Sequence, residues 1–149
     1  MIALACDHAA LEFKEEIKLF LKARGVEYKD FGTDSAESCH YPIYAVRAAK
    51  AVSNGECDRG IVICGTGIGM SIAANKVKGI RCSLCNDPYS AQMTRAHNDS
   101  NVLALGARVI GIELAKKIVA VWLDTPFEGG RHQTRIDMIS DIENDQPLE

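Results

Sequence analysis

Short apolar runs alternate with longer amphipathic segments along this chain. The apolar runs predict strands at 2–6, 26–31, 60–64, 80–85 and 102–105. Apolar positions at helical spacing predict helices at 11–24, 42–52, 70–76, 88–97, 112–123 and 130–142. Strand and helix alternate five times, so we predict an α/β fold in which helices cover both faces of a parallel sheet.

Ligands of such sheets bind at the edge where the carboxyl ends of the strands meet. The residues that follow each predicted strand are therefore the first candidates for chemistry. They are Asp7-His8, Gly32-Thr33, Cys64 to Gly69, Asn86-Asp87 and Gly106 to Arg108.

Composition and charge narrow the class of protein. With 149 residues, 47% of them hydrophobic and 25% charged, the chain fits one globular domain spanning 1–149. The net charge of −3 and the aromatic content of 6% give neither the basic surface nor the stacking side chains of a general nucleic-acid binder. We expect no nucleic-acid partner.

The six cysteines suggest a disulfide framework only if the chain is secreted. Residues 1–6 have no basic segment, and their apolar run is too short for a signal peptide. No stretch approaches the roughly 20 apolar residues that span a bilayer. We therefore expect a cytoplasmic protein with reduced thiols and no membrane partner.

A glycine-rich loop follows the third predicted strand, in the sequence Cys64-Gly-Thr-Gly-Ile-Gly-Met-Ser71. Alternating glycines let a ligand approach the backbone closely, and N–H groups at the start of a helix attract negative charge. The same environment favours the thiolate form of Cys64. The alternative interpretation is a tight turn beside a buried structural cysteine.

Known cofactor and metal motifs do not fit this chain. The loop lacks the lysine of a Walker A motif, and Met70 stands where a dinucleotide fingerprint needs glycine. Cys82 and Cys85 form a lone CxxC whose members a strand would point to opposite faces, so we expect structural burial rather than zinc or redox chemistry. We predict no cofactor and no metal ligand.

Other polar residues have both structural and chemical interpretations. Asp7 either caps the next helix or faces a ligand together with His8, and His97 either stabilises a helix end or transfers protons. Arg131 and Arg135 are four residues apart, so one helical face presents both guanidinium groups, either to solvent or to a phosphate monoester.

Arg108, just after the fifth strand, is a further candidate for the same anion. Taken together, these groups suit proton transfer alpha to a carbonyl in a phosphorylated ligand. A thiolate base, a histidine acid and a backbone cradle for an oxyanion require neither cofactor nor metal.

The ordered set of motifs resembles the type B ribose-5-phosphate isomerases, a family with allose and galactose phosphate members. The resemblance extends over essentially the whole chain. It is carried by Asp7-His8, Cys64 to Lys76, Asp87 to Gln92, His97 to Asn101 and Gly129 to Arg135.

The resemblance implies a three-layer Rossmann-like sandwich with a five-stranded parallel sheet. It implies a homodimer or homotetramer whose active sites are shared between subunits. It also implies Cys64 as the base and His97 as the acid–base group that opens the furanose ring, with the partner subunit contributing some groups, His97 and Asn98 among them.

The resemblance further assigns a set of substrate-binding positions. Asp7 orients sugar hydroxyls, the loop holds the enediolate, and His8, Arg131 and Arg135 bind phosphate. The remaining positions are Gly65, Thr66, Gly67, Ile68, Gly69, Asn98 and Arg108.

One position departs from the family pattern, because His40 precedes Tyr41-Pro42 where many relatives carry aspartate. The expected activity is interconversion of ribose 5-phosphate and ribulose 5-phosphate, in the non-oxidative branch of the pentose phosphate pathway. Isomerisation of a hexose 6-phosphate and non-catalytic binding of a phosphometabolite remain the alternatives.

Overall fold

The computed structural model describes residues 1–149 and contains one five-stranded sheet in which every pair of neighbouring strands is parallel. The strand order is β2-β1-β3-β5-β4. The strands are β1 (Ile2–Cys6), β2 (Tyr28–Asp30), β3 (Arg59–Cys64), β4 (Cys82–Leu84) and β5 (Val102–Gly106).

The helices lie on both faces of this sheet. A short 3-10 turn at His8–Ala10 precedes the first of them. The α-helices are α1 (Leu11–Ala23), α2 (Tyr41–Ser53), α3 (Ile68–Ala74), α4 (Pro88–Asn98), α5 (Ile112–Asp124) and α6 (Arg131–Glu143). The predicted three-layer Rossmann-like architecture is confirmed.

Each face of the sheet packs against its own apolar cluster. Ile2, Leu4 and Cys6 of β1 join the cluster under α1 and α5, whereas Ala3 and Ala5 join the cluster under α2 and α3. Because successive side chains of a strand alternate between faces, a strand that is covered on both sides is apolar throughout. The continuous apolar runs therefore identified β1, β3 and β5 correctly.

The edge strands are shorter than the sequence predicts. Strand β2 covers 28–30 instead of 26–31, and β4 covers 82–84 instead of 80–85. Each pairs with a single neighbour, so fewer residues take part in a ladder. Cys82 and Cys85 pack on opposite faces of the sheet, as predicted.

The direction of the chain defines two edges of the sheet. The carboxyl edge holds the ends of the strands and the starts of the helices, and the amino edge holds the starts of the strands and the ends of α4 and α5. The order of strands reverses between β1 and β3, and ligands of open parallel sheets bind at the carboxyl edge of such a switch point. None of the helices has the length and apolar character needed to span a bilayer.

Candidate active site

Cys64 is the last residue of β3 and lies at the switch point of the carboxyl edge. Its side chain is largely buried beside α2 and α3, and its Sγ accepts a hydrogen bond from the Gly67 N–H at 3.1 Å. This bond holds the sulfur inside the turn, beside the amides of the loop.

The loop after Cys64 is packed closely against the neighbouring strands. Gly67 has a φ of +77°, and a Cβ at this position would lie 2.5 Å from Leu84 Cδ1 and 2.8 Å from the Leu105 carbonyl carbon. A Cβ on Gly106 would likewise lie 2.5 Å from the Thr66 carbonyl oxygen. These contacts require glycine and hold the loop in one conformation.

Several N–H groups of this loop have no partner in the chain. The Gly65 and Thr66 N–H groups make no backbone hydrogen bond, and those of Gly69 and Met70 lie in the first turn of α3, where no preceding carbonyl accepts them. The Ile68 N–H donates to Thr66 Oγ1 at 3.2 Å. The loop therefore presents unpaired donors beside a sulfur, an arrangement suited to an oxyanion.

Arg108 lies against the same loop. Its N–H donates to the Gly65 carbonyl at 2.9 Å, and a Cβ on Gly65 would lie 3.4 Å from Arg108 Nη1. The Arg108 side chain is exposed and forms no ion pair within the chain. A cationic group is thus available beside the unpaired amides.

Asp7 and His8 follow β1 on the other side of the switch point. Asp7 Oδ1 accepts the Ala9 N–H at 3.0 Å, so this buried carboxylate caps the 3-10 turn and still faces the carboxyl edge. His8 Nδ1 accepts the Cys39 N–H at 3.2 Å, which leaves the proton on Nε2. His8 also lines a groove of about 420 Å³ that extends to Ala107, the residue before Arg108.

Tyr41 contacts the loop but received no predicted role. A Cβ on Gly69 would lie 2.6 Å from Tyr41 Cζ, so the ring rests directly on the start of α3. His40, the residue that departs from the family pattern, is exposed and its side chain does not cap α2. The only sequence signal for the contact between Tyr41 and the loop is that Tyr41-Pro42 follows the family pattern.

A second group of predicted site residues lies at the amino edge. His97 and Asn98 end α4, and Arg131 and Arg135 lie on the first turns of α6. The His97 and His132 rings are stacked, with centroids 4.2 Å apart and planes 12° from parallel. Both arginines are exposed and form no ion pair within the chain, so they are free to bind an anion.

The two groups are far apart within one chain. The connection after His97 joins the start of the sheet, since the Gly60 N–H at the start of β3 donates to the Asn101 carbonyl at 2.8 Å. Cys64 lies four residues further along β3, a separation of about 13 Å from Gly60 at the rise of a strand. Arg108 therefore does not lie with Arg131 and Arg135 in the same chain.

Glu128 was not predicted as a site residue, and its spacing to His132 is no helical signal because Glu128 precedes α6. Its Oε2 lies 3.9 Å from His97 Nε2 and 3.4 Å from His132 Nε2. Burial lowers the pKa of His132, and its positively charged neighbours Arg131 and Arg135 act in the same direction.

His97, Glu128 and His132 also carry atoms that could bind a metal ion. The ligand atoms of His97, Glu128 and His132 lie within 4.8 Å of one another. A metal ion binds an imidazole along the lone pair in the plane of the ring. The two rings are stacked in separate, nearly parallel planes, so one ion cannot lie in both planes close to the two nitrogens, and this arrangement does not fit a shared metal ion.

Comparison with known proteins adds independent information. Residues 2–139 match the family model described as Ribose/Galactose Isomerase. The chain is 57% identical over 142 residues to ribose-5-phosphate isomerase B of Escherichia coli, covering 95% of each chain. It is 46% identical over 146 residues to D-erythrulose-4-phosphate isomerase of Pectobacterium atrosepticum, covering 97% of this chain and 96% of that one.

A solved structure supports the same relationship. The chain superposes on ribose-5-phosphate isomerase B of Clostridium thermocellum with a TM-score of 0.96 and 55% identity, covering 97% of each chain. Both the sequence and the arrangement of its elements are therefore similar to those of sugar phosphate isomerases.

Proposed function

We propose that this chain, which belongs to the ribose/galactose isomerase family, interconverts ribose 5-phosphate and ribulose 5-phosphate. The observation that carries the chemistry is the position of Cys64 Sγ, which receives a hydrogen bond from Gly67 inside a loop of unpaired amides. Base and oxyanion donors are thus adjacent on one rigid loop.

The reaction follows from this geometry by proton transfer alone. The Cys64 thiolate removes the proton from C2 of the open-chain aldose, and the electrons of the C–H bond form the enediolate. The unpaired N–H groups of the loop stabilise the charge that develops on oxygen. Return of the carbon-bound proton to C1, together with transfer of the O2 hydroxyl proton to O1, then gives the ketose and regenerates the thiolate.

The remaining substrate-binding roles belong to the same proposal. Asp7 orients sugar hydroxyls, since one of its carboxylate oxygens is free of the capping bond. His8 donates its Nε2–H to the phosphate, because Nδ1 is occupied by the Cys39 N–H. Arg108 adds positive charge beside the loop.

We further propose that each active site is shared between two copies of this chain. His97 and Asn98, with Arg131 and Arg135, lie at the edge opposite Cys64, too far away to act on the same substrate within one chain. A second copy supplies this group, so that His97 opens the sugar ring and the two arginines complete the phosphate site. This assembly is a homodimer, alone or paired into a homotetramer.

A cytoplasmic location and a single domain over 1–149 complete the proposal. A cysteine base must stay reduced, and the cytosol maintains reduced thiols.

A coupled assay for ribulose 5-phosphate tests the activity. Turnover of ribose 5-phosphate that persists in EDTA supports a reaction carried by side chains and backbone, whereas loss on chelation contradicts it. Hexose 6-phosphates and erythrulose 4-phosphate are assayed in parallel, since one relative is a four-carbon phosphate isomerase. A higher kcat/KM for any of them reassigns the substrate without removing the isomerase mechanism.

A further inference from the structure

His97 ends its helix without a hydrogen bond that would orient its ring. Its side chain is 38% exposed, and its Nε2 lies 3.9 Å from the Glu128 carboxylate. An imidazole that transfers protons needs a fixed orientation and a defined tautomer, and a partner on its second nitrogen normally provides both. The structure offers Glu128 for this purpose.

The backbone ties Glu128 to the helix that carries His97. The Glu128 N–H donates to the Ala96 carbonyl at 3.0 Å, one residue before His97. Gly129 and Gly130 follow with φ of +66° and +58°, so the chain reverses there and enters α6. Glu128 is therefore held beside the end of α4 by a connection independent of its side chain.

His132 forms the second wall of this arrangement. Its ring stacks on His97 and is 6% exposed, and its Nε2 is buried without a hydrogen-bond partner. The stack opposes rotation of the His97 ring about its Cβ–Cγ bond, because that rotation would turn the ring out of its stacked orientation. The Glu128 side chain is 57% exposed, so its carboxylate is the group that can move to close the distance to His97 Nε2.

We propose that Glu128 is a positioning residue for His97: its carboxylate accepts the His97 Nε2–H, leaving Nδ1 to exchange a proton with the sugar. This inference rests on the proposed ring-opening role of His97. The present separation of 3.9 Å between Glu128 Oε2 and His97 Nε2 closes when substrate is bound, as hydrogen bonds of catalytic groups commonly do.

The proton balance of ring opening is consistent with this arrangement. The His97 imidazolium gives the Nδ1 proton to the ring oxygen O4 as the C1–O4 bond breaks, and the C1 hydroxyl proton passes to water as the aldehyde forms. The charged side chains that face this region are the Glu128 carboxylate and, on α6, Arg131 and Arg135. Asp99, the next acid along the chain from His97, is paired with Arg81 and Arg95.

The tautomer of His97 tests the proposal directly. Two-bond ¹H–¹⁵N correlation spectra of the full-length protein distinguish Nε2–H from Nδ1–H imidazole. With saturating ribose 5-phosphate we expect the Nε2–H form at neutral pH in the wild type, a mixture in Glu128→Ala, and retention of the Nε2–H form in Glu128→Gln, since the amide oxygen still accepts. Glu27→Ala removes an exposed glutamate near the opposite edge strand and serves as the control.

Kinetics provides a second readout. Glu128→Ala should lower kcat for ribose 5-phosphate about tenfold with KM nearly unchanged, and Glu128→Gln should recover part of the loss. An unchanged His97 tautomer in folded Glu128→Ala overturns the inference, whatever the kinetics. If the wild type fails to isomerise ribose 5-phosphate, the proposed function fails, and the tautomer comparison still decides the role of Glu128.

Discussion

The N–H of Gly67 points back at Sγ of Cys64 across the turn that links β3 to α3, at 3.1 Å. The bond joins the proposed base to the loop that supplies the oxyanion donors, so the two functions share one rigid segment. A change in either residue is expected to affect catalysis by a different route.

Replacement of Cys64 by alanine should remove the base while leaving the binding groups in place. We expect turnover to fall by roughly a thousandfold or more, the upper part of the range for a lost acid–base group. Calorimetry with ribose 5-phosphate should still detect binding. Cys57→Ala, a buried thiol away from the loop, is the control, and near-normal turnover of Cys64→Ala would exclude the assigned base.

Gly67→Ala should destabilise the fold as well as the site. The positive φ alone costs about 1–3 kcal/mol for a residue with a Cβ, and here the added carbon also meets Leu84 and Leu105. Gly25→Ala is a matched control, because Gly25 has a φ of +70° and an added Cβ there would meet nothing within 4 Å. Chemical denaturation should show a larger loss for Gly67→Ala, and equal losses would contradict the packing argument.

Mixing two inactive variants tests whether the sites are shared. A dimer of one Cys64→Ala chain and one His97→Asn chain regains one intact site, because the intact Cys64 and His97 come from different chains. After unfolding and refolding together, random pairing should restore about a quarter of the wild-type activity. The same variants refolded separately are the control, and a mixture that stays inactive shows that each site lies within one chain.

Arg135→Ala should weaken substrate binding more than it slows the chemical step. The phosphate is remote from C1 and C2, so we expect KM to rise about tenfold, with a smaller fall in kcat. Inorganic phosphate should also lose potency as a competitive inhibitor. Lys117→Ala removes one exposed positive charge from another helix and should change neither value; an unchanged KM in Arg135→Ala rejects the phosphate role.

A buried ion pair behind the site makes stability depend on pH. Lys14 is completely buried, and its Nζ donates to Asp30 Oδ1 at 2.8 Å and to the Thr33 carbonyl at 2.7 Å. Burial raises the pKa of Asp30, but hydrogen bonds from Lys14 and Lys18 outweigh it, so the pKa is lowered from 3.8.

The stabilisation from Asp30 is therefore complete above the unfolded-state pKa near 3.8 and is lost as the pH falls through the lower folded-state value. Denaturant midpoints measured from pH 6 down to pH 2 should show this loss in the wild type. Asp30→Asn should unfold more easily at pH 6 and lose less on acidification, and an identical acid slope in both proteins would contradict the assignment.

The central strands and the glycine loop were predictable because each has a local signature. Apolar runs mark strands buried on both faces, and alternating glycines mark a close backbone approach. The separation of Cys64 from His97 also follows from chain order, because a helix that connects two parallel strands ends at the amino edge of the sheet, but only the family resemblance indicated that His97 acts from a partner subunit.

Glu128 was harder to recognise for a different reason. Its contacts arise from the reversal at Gly129 and Gly130, and a positive φ at two successive glycines does not specify which side chains then meet. The shortening of β2 and β4 has a similar cause, because ladder length depends on the neighbour and not on the strand's own residues.

The placement of the two site groups at opposite edges has a consequence for how this enzyme responds to dilution. Under the proposed shared site, a folded chain on its own carries a base without its acid and a phosphate site without its arginines. The specific activity should therefore fall once the protein concentration drops below the dissociation constant of the pair, even though every chain remains folded. At low protein concentration a smaller fraction of the chains is paired, so the reaction rate should fall more steeply than the protein concentration does.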